Sequence, residues 1–264
     1  MNRLAPSSLT RWIIGILVGL FFLVPLVATL VYTLTKDGDF TLAHWAALGD
    51  PAKAAVYQPI WTGLGNSLIL AVVTVLIVLL VLAPTMILVN LRYPRLRPVF
   101  EFVVLLPISI PAIVLVVGLT PIYLQIGRSF GTGAWTLAFA YGITVLPFAY
   151  RSIQASIDAV DMTTLAEAAR SLGAGWGTVL LRVLAPNLRQ GLLAASLLSI
   201  AVVLGEFTIA SLLNRDVLQT ALVVVQKQDG WAPAMFALMA LTFSFLLLLI
   251  IGRAARGRSG KADS

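Results

Sequence analysis

Glu206 is the one carboxylate well inside a long apolar run of this 264-residue chain, the run from Leu192 to Leu213, every other lying in a loop, at the edge of a run or in the tail. Burying a charge near a bilayer centre costs at least ~2.5 kcal/mol even on the most lenient insertion scale, so such a group faces a bundle interior or a water-filled cavity. There it can balance a cationic solute, touch a gate, or bond a hydroxyl such as that of Thr208 or Ser211. The second informative cluster is polar, and it runs as TLAEAARSLGAGWGTVLLRVLAPNLRQG from Thr164 to Gly191 between two apolar stretches. Thr164 and Glu167 have the Ser/Thr-x-x-Glu spacing of a capping box. That spacing predicts a short helix that starts at Thr164, carries Ala168, Ala169 and Leu172, and ends at Gly173 and Gly175. Glycine suits such an end because it adopts the left-handed conformation without strain. Small alanines let another surface come close, and Pro186 would set the angle at which the chain enters its next apolar run. Such a segment is a mechanical lever, not a reaction centre.

Covalent and metal chemistry find little support. The chain has no cysteine, and its single histidine, His44, sits beside Trp45 in a polar stretch. No lysine falls inside an apolar run, and Glu206 has no acidic companion there, so the groups that an intramembrane hydrolase needs are missing from the sequence. Gly127 to Gly133 is glycine-rich but lacks the Lys-Ser/Thr ending of a phosphate-cradling loop. The sequence therefore predicts neither ATP hydrolysis nor a bound cofactor or metal in this chain.

The elements that must position these residues are membrane spans. Hydrophobic residues make up 59% and charged residues 11%, with a mean hydropathy of +0.98. A soluble domain carries about 25% charged residues, so this balance cannot cover a globule in water. Six runs are long enough for spans: Trp12–Leu34, Leu64–Val89, Val99–Leu124, Ala134–Tyr150, Leu192–Leu213 and Pro233–Gly252. The first exceeds the ~7–15 apolar residues of a secretion signal and reads as a retained span. Gly15 and Gly19 give it a GxxxG pair, a candidate close-packing face. Pro107, Pro111 and Pro121 in the third run, and Pro147 in the fourth, predict kinks beside a path that opens.

The net charge of +7 is too scattered to track a nucleic acid. It reads instead as orientation. With the N-terminus inside, Lys36, Lys53, Arg128, Arg215 and Lys227 fall outside, and the other 13 of the 18 basic residues fall in the cytoplasm. Both termini and the 151–191 segment are then cytoplasmic. The domain plan is a cytoplasmic N-terminus (1–11), one transmembrane domain (12–252) and a basic tail (253–264).

The polar segment also resembles the EAA loop of the membrane subunits of binding-protein-dependent ABC importers. Glu167-Ala168-Ala169 is followed after three residues by Gly173, then after nine by Val183-Leu184-Ala185-Pro186. The family pattern has Ile where Val183 stands and Leu where Ala185 stands. Asn66-Ser67, Leu106-Pro107-Ile108-Ser109-Ile110-Pro111 and Gly205-Glu206-Phe207 are similar to the family too. The resemblance implies an all-α, polytopic helical bundle of the type I importer permease fold in a bacterial inner membrane. It implies as partners a dimer of ABC ATPases that uses ATP and Mg, a second permease, identical or homologous, and an extracytoplasmic solute-binding protein. Thr164, Glu167, Ala168, Ala169, Leu172, Gly173 and Pro186 are then the expected coupling residues, and Glu206, Pro107 and Pro111 the expected pathway or gate residues. A polyamine is the first-choice cargo. Sulfate, molybdate, iron, thiamine and phosphonate are alternatives, and a passive channel, which would need no ATPase-docking loop, is the alternative class.

Overall fold

The computed structural model describes residues 7–256, with side chains described except at 244 and 247–256. Arg3, Arg258 and Lys261, which entered the orientation argument, lie outside the described residues. The architecture is all-α apart from one two-residue antiparallel pair. Six helices of 17 to 26 residues each overlap one of the six apolar runs: α1 (Ser8–Thr33), α3 (Ala54–Ile77), α6 (Ala112–Phe130), α7 (Ala138–Asp158), α11 (Arg189–Gly205) and α14 (Ala232–Arg256). Short elements fill the gaps: β1 (Thr35–Lys36), β2 (Asp39–Phe40), α2 (Ala43–Ala47), α4 (Ala83–Arg92), α5 (Arg97–Leu105), α8 (Met162–Ser171), α9 (Trp176–Thr178), α10 (Ala185–Asn187), α12 (Thr208–Leu212) and α13 (Leu218–Gln226). By length and composition, Ser8–Thr33, Pro51–Arg92 and Ala112–Phe130 can each cross a membrane unaided.

The chain divides into two compact units, Ile60–Ala221 and the flanking segments up to Pro59 and from Leu222. In the inner unit α7 is the central helix. Its Tyr141, Val145, Ala149, Tyr150 and Ile153 are almost wholly buried. Residues of α4, α8 and α11 share one apolar cluster with its later half. Against it α11 lays a stripe of small residues, Gly191, Ala195 and Ser199, all buried. Small side chains let two helices approach closely in a membrane, where packing replaces the hydrophobic effect. A Cβ added at Gly191 would lie 2.5 Å from Ser156 Oγ and 2.7 Å from the Ser152 carbonyl oxygen. Gly191→Ala should therefore overpack the α7–α11 seam by about 1–3 kcal/mol. The check is a lower thermal midpoint of the purified permease in detergent, with an unchanged midpoint counting against the seam.

In the flanking unit α1 packs along α14 and leaves the rest of its surface open. Among the described residues nothing lies within 4 Å of a Cβ built at Gly15 or Gly19. The polar stretch after α1 forms the β1–β2 hairpin and α2, and Pro59 lies inside α3. His44 has a defined place in this unit. It is buried and stacked on Trp231, ring centroids 4.2 Å apart.

Several expected boundaries move, each for a local reason. The run Val99–Leu124 is two helices, because Leu106–Ser109 forms a 3-10 turn and Ile110 is extended at φ −101°, ψ 117°. Proline at 111 disfavours the helical region for the residue before it, and the chain breaks there. The run ending at Tyr150 continues as α7 to Asp158, whose carboxylate takes a hydrogen bond of 2.9 Å from Arg97 at the start of α5. The run Leu192–Leu213 stops at Gly205 and restarts as α12. Two wide π-turns, Val78–Leu82 and Val179–Leu184, each end two residues before a proline, Pro84 and Pro186. A proline ring presses on the carbonyl four residues back, and a widened turn relieves that clash.

Candidate coupling helix and intramembrane break

The EAA-like segment folds as the predicted helix, one cap earlier than its sequence suggests. Asp161, not Thr164, is the N-cap of α8: its carboxylate accepts from the Thr164 backbone N–H at 3.1 Å and from the Thr164 hydroxyl at 2.6 Å. The Thr164 side chain, then its N–H, hold the Asp161 carboxyl below the usual carboxylate range, so the cap is ionised at neutral pH. Aspartate outcompetes threonine here because an ionised acceptor bonds more strongly to an orphan N–H. Glu167 is thereby released from the capping role and lies exposed on the second turn.

The far end of α8 is a full Schellman stop. Gly173, at φ +85°, donates to the Arg170 carbonyl at 3.0 Å, and Ala174 donates to the Ala169 carbonyl at 3.0 Å. Gly175 does not share this role. It is extended, at φ −71°, and opens α9. Arg170 fixes the turn between the two helices, bonding the Ala174 carbonyl at 3.1 Å with its guanidinium carbon 5.4 Å from the Trp176 ring centroid. Beyond it, Trp176–Asn187 and Arg189–Gly205 meet at 79°, at Leu188, two residues past Pro186.

The two faces of α8 differ. Met162 and Ala166 are buried in the apolar cluster around α7, with Leu165 and Ala169 packed against it. Thr163, Thr164, Glu167, Ala168 and Ser171 are exposed, and Leu172 is 88% exposed, an apolar side chain held out beside a rigid turn. Glu167 also lines a groove of about 400 Å³ between α8 and α4, floored by Ile87, Leu91 and Leu184. A helix anchored on one side, capped at both ends and bare on the other can take a push from a partner and pass it to α7 and α4.

The second site is the break after α11. The Glu206 carboxylate accepts from the backbone N–H of Thr208 at 2.8 Å and of Ile209 at 3.0 Å, so it caps the short α12 within its own segment. Two carbonyls at the end of α11 also find donors: Gln219 Nε2 donates to Leu204 at 2.8 Å and the Tyr141 hydroxyl to Glu206 at 3.3 Å. In hydrocarbon each of these groups must find a partner, and all four do. Past α12, Asn214 turns the chain at φ +50°. Asn66 Nδ2 then bonds the Asp216 carbonyl at 2.8 Å, while Ser67 Oγ accepts from Leu218 N–H at 2.9 Å. The Asn66-Ser67 pair thus holds the start of α13 against α3. Pro107 lies in the 3-10 turn and Pro111 caps α6, so both stand at the other break of the inner unit. Asp161, Arg170, Tyr141 and Gln219 escaped the sequence reading. Only Asp161 carried a signal, an aspartate just before the helical pattern.

Comparison with known proteins agrees with this geometry. The family model described as binding-protein-dependent transport system inner membrane component matches residues 87–259, which include α8, Glu206, Pro107 and Pro111. The spermidine/putrescine transport system permease protein PotB of Haemophilus influenzae is 28% identical over 236 residues, covering 81% of this chain and 78% of that protein. The probable ABC transporter permease protein y4fN of Sinorhizobium fredii is 26% identical over 251 residues, covering 88% of this chain and 42% of that one. The chain belongs to the family of inner membrane components of binding-protein-dependent transport systems, the permease subunits of ABC importers.

Proposed function

We propose that this permease carries a polyamine, received from a solute-binding protein and driven by ATP hydrolysis in a separate ABC ATPase dimer. In this reading α8 faces the cytoplasm with both termini, sits in a cleft of the ATPase, and moves α7 and α4 as that cleft closes. ATP and Mg belong to the ATPase, and a second permease completes the pathway beside Glu206, Pro107 and Pro111. The observation that carries the coupling role is the two-faced α8, buried through Met162 and Ala166 and bare at Glu167, Ala168 and Leu172. Support for the cargo comes from the relative whose name specifies spermidine and putrescine. Co-expression of the permease with its ATPase, partner permease and binding protein in nanodiscs tests both parts. Spermidine or putrescine should stimulate ATP turnover in the complete complex. Stimulation by sulfate, molybdate, iron, thiamine or a phosphonate instead would replace the cargo, and turnover indifferent to every solute would remove the coupling role.

A further inference from the structure

The flanking unit holds a pocket of about 280 Å³ lined by none of the residues assigned above to coupling or to the pathway. It is lined by Lys36 after β1, His44 on α2, Lys53 before α3, Tyr57 on α3, and Asp229 and Trp231 before α14. Its one carboxylate is already engaged: Asp229 accepts from the Tyr57 hydroxyl at 2.5 Å and from the Trp231 N–H at 3.0 Å. Its donors are not. His44 is 7% exposed and its buried Nε2 has no hydrogen-bond partner. Among the described residues neither Lys36 nor Lys53 forms an ion pair. Two free ammonium groups and an orphan imidazole nitrogen around a satisfied carboxylate call for an anion with several acceptor oxygens.

The surroundings specify what carries that anion. The pocket stands at the end of α1, where Trp45 Nε1 donates to the Thr33 hydroxyl at 3.2 Å. None of the apolar window of α1 is buried in the chain, so its surface suits acyl chains up to that point. Tyr32, Trp45 and Trp231 cluster there, as aromatic side chains do at headgroup level. Phe40 and Leu42 stand 78% and 67% exposed in the otherwise polar loop beside the pocket, placed to enter the acyl boundary.

We propose that this pocket binds the phosphate of an anionic phospholipid headgroup, with Lys36, Lys53 and His44 Nε2–H as donors and the Trp231 ring as its wall. The lipid ties the β1–β2 hairpin and α2 to the membrane beside α1.

Full-length permease in a neutral detergent, titrated with short-chain phosphatidylglycerol, phosphatidylcholine of equal chain length, or inorganic phosphate, tests this through its thermal midpoint. Phosphatidylglycerol should raise the midpoint at lower concentration than the other two. Its apparent affinity should fall roughly five-fold for each of Lys36→Gln and Lys53→Gln, the effect of one basic residue at a lipid surface. His44→Phe, which keeps a ring on Trp231 but removes the donor, should lower the affinity with the lipid-free midpoint preserved. Equal response to phosphatidylcholine, or undiminished affinity in the two lysine variants, overturns the proposal. A full response to inorganic phosphate alone overturns the lipid as its source.

Discussion

Replacing Gly173 by valine is expected to abolish solute uptake while the permease still inserts into the membrane. Gly173 adopts φ +85° and closes α8 with its own N–H. A residue with a Cβ in that conformation costs roughly 1–2 kcal/mol, and a β-branched one more. Nothing lies within 4 Å of a Cβ built at Gly173, so the penalty is backbone strain and not a clash. The strain is relieved by unwinding the last turn, which moves Leu172 and releases the Arg170–Trp176 clasp. The exposed end of α8 loses its shape while Met162 and Ala166 stay anchored. Glu167→Ala makes the complementary test. Because Asp161 supplies the N-cap, removing the Glu167 carboxylate should leave the helix intact, and a loss of uptake then reports on the partner it touches. Both variants should give reduced recovery of the ATPase on co-purification. Normal uptake and normal ATPase recovery in both would remove α8 from coupling.

The long elements were legible because their signal is composition summed over twenty residues, and hydrocarbon as a solvent leaves few alternatives to a helix. Every apolar run became helical, as one helix or as several. What the runs could not show was where a helix stops inside the membrane. Glu206 reads as a lone charge in a continuous span, yet its carboxylate caps α12, which ends the span at Gly205. A side chain that bonds backbone two residues on leaves no periodic trace. Gly15 and Gly19 stand out by their pattern, while the stripe that packs among the described residues, Gly191, Ala195 and Ser199, has no such signature. A GxxxG pair gives the opportunity for close approach, and only the partner helix decides whether it is taken. In the EAA-like loop the spacing fixed the helix and its glycine stop, because a Schellman end depends on local geometry. Thr164 was misread as the cap, since aspartate three residues earlier competes for the same N–H.

Glu206→Gln and Glu206→Leu are expected to lose transport by different routes. Both carboxylate oxygens accept backbone N–H bonds, from Thr208 and from Ile209. Glutamine keeps one acceptor oxygen, so α12 retains part of its cap and the break survives. Leucine keeps none, and each N–H left unsatisfied away from water costs about 1–3 kcal/mol. The leucine variant should therefore lower the thermal midpoint and favour a continuous helix through the break. The glutamine variant should insert and assemble with a near-native midpoint, so that any fall in uptake reports on charge alone. A gate or pathway role demands such a fall at limiting solute, because an uncharged amide can no longer act on the solute or the gate through charge. Wild-type uptake by Glu206→Gln, alongside a destabilised Glu206→Leu, would assign the residue wholly to the helix cap and take it off the pathway.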